Sequence, residues 1–177
     1  MKRTFHNLLF GLGVLTIALA PRAAWAETRP VQLSLFNPVQ IFSESHSIKG
    51  LRINLLYGKN QDMTGLDVGL VNHAAGTTKG LQWGVVNYTE QNFRGWQAGY
   101  VNITNGDFKG YQEGLFNGAD RMTGFQFGLV NMTDHMHGFQ LGFFNLTNSA
   151  KGLQVGLLNV IKNKDTLPIF PIVNWSF

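Results

Sequence analysis

The 177-residue chain contains no cysteine, so disulfides cannot brace it and no acylated cysteine can anchor it. Charge is scarce as well: Asp, Glu, Lys and Arg together make up 14% of the residues, and only five prolines interrupt the chain. Long apolar runs are limited to Leu8–Ala20, about 13 residues where a membrane-crossing helix needs roughly 20. Beyond that run, apolar residues never recur at the three-and-four spacing of a helix. These absences exclude a disulfide scaffold, a helical bundle and a helical membrane span.

The first 26 residues read as a secretory signal peptide. Lys2 and Arg3 supply the positive start, Leu8–Ala20 the apolar stretch, and Ala24-Trp25-Ala26 the small-x-small cleavage site. Three of the 14 lysines and arginines fall in that segment, which leaves 11 against 10 acidic residues. So small a surplus implies no nucleic-acid partner. Residues 27–177 are expected to form a single repeat-built β domain.

What the chain has in abundance is one motif. Gly-apolar-Gln-apolar-Gly-apolar-apolar-Asn begins at Gly50, Gly65, Gly80, Gly95, Gly110, Gly124, Gly138 and Gly152, every 14 or 15 residues. With the first Gly as position zero, a second Gly stands at plus four and Asn at plus seven. The first unit departs from this, with Asn54 and Tyr57 at those two places. Apolar residues alternate between the glycines, as in Phe125, Phe127 and Leu129, and period two means strand. Linking stretches such as Thr104-Asn105-Gly106-Asp107 and Asn117-Gly118-Ala119-Asp120 carry turn chemistry.

Eight units plus flanking strands in Val31–Phe42 and Leu167–Phe177 make ten strands, an even number like that of bacterial outer-membrane barrels. The expectation is therefore an all-β protein: an antiparallel up-and-down β-barrel of about ten strands, of the outer-membrane type. Val173, Trp175 and Phe177 alternate on the last strand in the manner of an assembly signal for such barrels. Outer-membrane lipid and the barrel-assembly machinery would then be its partners. Position plus two reads Arg52, Asp67, Gln82, Gln97, Gln112, Gln126, Gln140 and Gln154, which a barrel would gather as a polar layer in its lumen. Arg52 and Asp67, of opposite charge in neighbouring units, suit cross-strand neighbours on one face.

Two features strain against a barrel. Three outward apolar positions per strand cover roughly 15 Å of a band that is about 25 Å tall in barrels, and Glu113 falls on the lipid side. The alternative is a β-solenoid of 14–15-residue coils, with Asn and Gln in ladders. Its difficulty is the small volume of such a coil, set against Trp83, Trp96, Tyr100, Tyr111, Phe125 and Phe139 on one face.

Catalytic and metal chemistry is thin. His135-Met136-His137 has no third ligand at a recognisable spacing and reads as a solvated turn. Asn-x-Ser/Thr at Asn87, Asn102, Asn131, Asn145 and Asn174 follows from the repeat. No nucleophile elbow or phosphate-binding loop is present, and neither a cofactor nor an enzymatic activity is expected.

Units such as Lys151-Gly152-Leu153-Gln154-Val155-Gly156-Leu157-Leu158-Asn159 resemble those of uncharacterised bacterial surface-repeat proteins built on Gly-Leu-Gln-x-Gly-Leu-x-Asn. The opening Val31–Pro38 and the close Leu167–Phe177 are similar to the same group. The resemblance implies envelope or cell-surface placement and a β architecture, and no assigned activity. The function expected is thus a non-enzymatic outer-membrane or surface barrel with a structural, adhesive or narrow-channel role. The alternative is an exported β-solenoid binding module using an aromatic face.

Overall fold

The structure, a computed structural model, describes residues 26–177; the expected signal peptide lies outside the described residues except for Ala26. Strands β1 (Thr28–Phe36), β2 (Val39–Gln40), β3 (Ser47–Asn60), β4 (Met63–Ala74), β5 (Thr78–Thr89), β6 (Phe93–Ile161) and β7 (Ile169–Ser176) follow in chain order. They form one sheet in the order β2-β1-β3-β4-β5-β6-β7.

The pairing is parallel from β1 through β6. Gly50 lies beside Gly65, Gly65 beside Gly80 and Gly80 beside Gly95. Each repeat is therefore one full coil, and the coils stack in register into a β-solenoid. The antiparallel outer-membrane barrel expected from the even strand count is overturned by this register. A hairpin would reverse the chain between units and could not set like positions side by side.

The reason lies in the stretches read as hairpin turns. Thr104-Asn105-Gly106-Asp107 and Asn117-Gly118-Ala119-Asp120 are extended members of β6, which runs 69 residues without interruption. They form the return side of the coil. The chain bends at plus five and plus six, where two consecutive residues both turn outward, and again before the next unit begins.

Apart from the glycines, four positions per coil point inward. Minus two supplies a thin apolar strip in which Phe93, Phe108, Met122 and Met136 are buried against Ala119 and Ala150, while plus nine is mostly buried threonine, as at Thr89, Thr104, Thr133 and Thr147. Phe93 and Phe108 stack with ring centroids 5.4 Å apart. Plus two and plus seven supply two amide ladders, and these fill most of the interior. Along the first, Gln97 Nε2 donates to Gln82 Oε1 at 2.8 Å, Gln112 to Gln97 at 2.7 Å and Gln126 to Gln112 at 2.7 Å; Gln140 and Gln154 continue the series. Along the second, Asn72 Nδ2 donates to Asn87 Oδ1, Asn87 to Asn102 and Asn102 to Asn117, and so on to Asn159. Buried amides that satisfy one another in this way avoid the penalty of unpaired polar groups, and each bond contributes about 1 kcal/mol net.

The irregular first unit has a local cause. Asn54 and Gly58 exchange the usual order of Gly and Asn, with a register shift between Asn54 and Tyr57. Asn54 Nδ2 still reaches Asn72 Oδ1 at 2.7 Å, so the ladder starts one coil earlier than the motif suggests. A side chain at Gly58 would collide with the Asn54 amide.

Both ends are covered. At the start, β2 lies antiparallel on β1, and Gln32 exchanges hydrogen bonds with the Phe42 backbone at 2.7 and 3.0 Å. At the finish, β7 lies antiparallel on the last coil, with Asn174 opposite Gln154. Reversing the last strand blocks continued parallel stacking at an otherwise open edge.

Candidate functional site

The polar residues singled out in the sequence come together, but inside the coil stack. Arg52, Asp67, Gln82, Gln97, Gln112, Gln126, Gln140 and Gln154 are all buried at 0–1% exposure. With no barrel there is no lumen, and this layer is packed core. Arg52 and Asp67 form a bidentate pair, Nε to Oδ1 at 2.7 Å and Nη2 to Oδ2 at 2.6 Å. Asp67 also accepts from Asn54 Nδ2 at 3.2 Å and Gln82 Nε2 at 2.8 Å. Arg52 Nη1 donates to the His73 carbonyl at 2.8 Å. The pair thus caps the glutamine ladder, supplying the acceptor that Gln82 needs.

Val173, Trp175 and Phe177 alternate on the last strand in the pattern of a barrel-assembly signal. Val173 pairs with Val155 and Trp175 with Leu153 on the terminal coil, while Phe177 follows the end of β7.

Bulky residues at plus one, plus three and plus five face outward, and here a site takes shape. Because plus four points inward, the plus-three and plus-five side chains stand as two walls with a glycine floor between them. The floor cannot carry side chains: a Cβ on Gly114 would meet the Asn102 amide nitrogen at 2.6 Å and Asn117 Oδ1 at 3.2 Å. The asparagine ladder holds the walls in place, since Asn102 Nδ2 donates to the Glu113 carbonyl at 2.6 Å and Asn117 Nδ2 to the Phe127 carbonyl at 2.8 Å.

Two cavities of about 620 and 590 Å³ result, and both are lined by Gly114, Leu115 and Phe127. They form one shallow groove from Val68 in the second coil to Leu157 and Ile172 at the end. At about 4.8 Å per coil the groove is roughly 30 Å long. Its rims are highly exposed: Trp83 at 65%, Tyr100 at 64% and Leu157 at 63%. Trp96, Tyr111, Phe125 and Phe139 run beside it as a continuous aromatic file with centroid spacings of 6.0, 5.4 and 5.0 Å. Glu113 is the groove's one carboxylate. Burial, followed by a hydrogen bond to Glu113 and its charge, raises the Tyr111 phenol above its ordinary 10.0.

A second cluster was not foreseen from the sequence. On the return side, Tyr57 Oη lies 2.7 Å from His73 Nδ1, and His73 Nε2 lies 2.7 Å from Glu90 Oε1. The three residues come from three different coils, so only the in-register stacking brings them together. Burial, ahead of the opposing pull of Glu90, lowers the His73 pKa from 6.5, and burial raises that of Tyr57 from 10.0. A raised phenol pKa is the wrong direction for a nucleophile. The folded state therefore takes up the His73 proton less readily than the unfolded chain. Its contribution to stability is complete above pH 6.5 and drains away as pH falls toward the lower folded value. His73→Gln is expected to flatten that part of the stability profile as pH falls below 6.5, measured by urea unfolding at each pH.

His135 Nδ1 lies 2.7 Å from Ser149 Oγ on the next coil, and His137 is exposed one residue before Gly138. Among the described residues no cluster of three or more His, Asp or Glu is placed to hold a metal ion.

The fold and the groove together define an all-β solenoid with an apolar slot along one face. Comparisons with protein-family models, with curated proteins and with solved structures find no match.

Proposed function

We propose that this chain is an exported, non-catalytic β-solenoid that works as a binding module through its apolar groove. The observation that carries this reading is the exposure of a continuous bulky apolar face over a core that does not need it. The ladders and the Phe93–Met136 strip fill the coil without those side chains. Monomeric proteins seldom leave an apolar surface of this extent uncovered unless something binds it. The tandem coils keep the walls parallel and rigid, as repeat proteins commonly do for extended ligands.

The test is the uncharged dye Nile red, whose emission rises and shifts to the blue in apolar surroundings. The folded protein is expected to bind it. Leu115→Asp combined with Phe127→Asp, both on exposed walls at the junction of the two cavities, should weaken binding about fivefold or more. A folded protein that ignores the dye, or a variant that binds it equally well, would remove the groove from consideration.

A further inference from the structure

We infer that the partner of this face is a lipid surface carrying anionic headgroups, against which the solenoid lies flat; this rests on the binding reading above. The carrying observation is a file of cations along the edge of the outward face, on the far side of the plus-one aromatic file from the groove. The residue before each leading Gly points outward, and it is Lys49, Lys79, Arg94, Lys109 and Lys151 in five of the eight coils, with His137 in a sixth. Lys79 and Arg94 sit directly beside each other in the sheet, and Lys109 occupies the same place one coil on. All five cations are exposed, and none forms an ion pair among the described residues.

Like charges in register on adjacent strands oppose folding, so this file weakens the free protein. A surface of negative charge would relieve the repulsion along its whole length. Three carboxylates of the return side, which lead into the cation positions, do not, because they are engaged locally. Glu90 is paired with His73, Asp107 with Arg121, and Asp62 accepts from the Thr77 amide.

The apolar part of the face points the same way. The floor and the far half of the groove, from Leu115 to Leu157, are lined by Gly, Leu, Val, Phe and Ile alone, with no side-chain hydrogen-bonding group, whereas a protein interface carries about one hydrogen bond per 100–200 Å². Hydrocarbon asks for none. Glu113, near the middle of the face, disfavours a second copy, since a two-fold axis there would bring two carboxylates together. It is also the one groove charge that opposes an anionic lipid surface, and the five edge cations outnumber it. Trp96 and Tyr111 at plus one, the next outward position after Arg94 and Lys109 at minus one, suit the boundary between headgroups and acyl chains, where amphipathic aromatic and basic side chains gather. The protein would lie on the bilayer and not cross it.

Co-sedimentation with vesicles tests this directly. The purified protein is expected to bind phosphatidylcholine vesicles containing about one-third phosphatidylglycerol much better than pure phosphatidylcholine, with the difference shrinking at high salt. Lys79→Glu, Arg94→Glu and Lys109→Glu together should weaken that binding about tenfold or more. Lys162→Glu, elsewhere on the surface, should leave it nearly unchanged. Emission from Trp83 should move to the blue on binding, read as the difference from Trp83→Phe. Binding that ignores headgroup charge, or no binding by a protein that still takes up Nile red, overturns the lipid assignment while leaving the groove intact. Loss of Nile red binding as well would remove both.

Discussion

Replacing Asp67 with Asn is expected to cost about 3–5 kcal/mol of stability, because it strands the Arg52 guanidinium as an uncompensated charge in a dry interior. Arg52 and Asp67 both have fully buried side chains. Asp67 satisfies four donors, two from Arg52 and one each from Asn54 and Gln82, so the damage reaches the first bond of the glutamine ladder. The repeat itself supplies the rescue. Arg52→Gln with Asp67→Gln restores the residue found at plus two in the six later coils, and buried ion pairs are often replaceable by well-fitted neutral groups. The double variant should recover to within about 1–2 kcal/mol of the parent, which identifies the deficit with the unpaired charge. Urea unfolding of the parent and both variants measures this. An Asp67→Asn protein as stable as the parent would mean that water reaches Arg52.

Gly110→Ala is expected to be at least as damaging, by about 3–5 kcal/mol. Gly110 has φ of +139°, a conformation that side-chain-bearing residues rarely adopt, and an added Cβ would run into the carbonyl oxygen of Gly95 on the coil below. Neither the strain nor the clash can relax separately, because the Gly95 carbonyl belongs to the ladder between coils. Gly110 also sits mid-stack, and repeat proteins hold together through nearest-neighbour contacts. Thermal unfolding should therefore lose its single cooperative step as the two halves uncouple. Gly118→Ala is the control: its Cβ would make only ordinary contact with the Phe116 ring at 3.4 Å, and the change should stay within about 0.5 kcal/mol. Equal effects at the two sites would refute the steric account.

Strand content, the repeat boundaries and the inward file at plus two could all be read from the sequence, since alternation reports side-chain direction whichever way neighbouring strands run. Alternation is silent on whether neighbours are parallel, and that is where the barrel expectation failed. The turn chemistry of Thr104-Asn105-Gly106-Asp107 misled because Asn, Gly and Asp also serve on the outward return side of a coil. The objection to a solenoid set the small volume of its coil against the bulk of Trp83, Trp96 and Tyr100. Those residues face outward, as they would have in a barrel, and the core is made mostly of amides. The groove became visible only with the parallel stacking, because its floor is the plus-four glycine and its walls are the side chains once assigned to lipid. The Tyr57–His73–Glu90 cluster had no sequence signal at all. Its members are spaced 16 and 17 residues apart and take positions that differ between units.

The two amide ladders run in opposite senses. Each glutamine donates to the coil before it, as Gln112 does to Gln97, while each asparagine donates to the coil after it, as Asn102 does to Asn117. A single file of aligned amides would act like a long dipole, its members polarising one another and its field growing with every coil. Two files of opposite polarity, side by side in one coil, cancel along the axis. Neither end of the stack accumulates partial charge from its core, however many coils it contains. Duplicating a repeat therefore adds length and groove without an electrostatic penalty at the ends, which gives a lineage of such proteins freedom to change its coil number while keeping the same two caps.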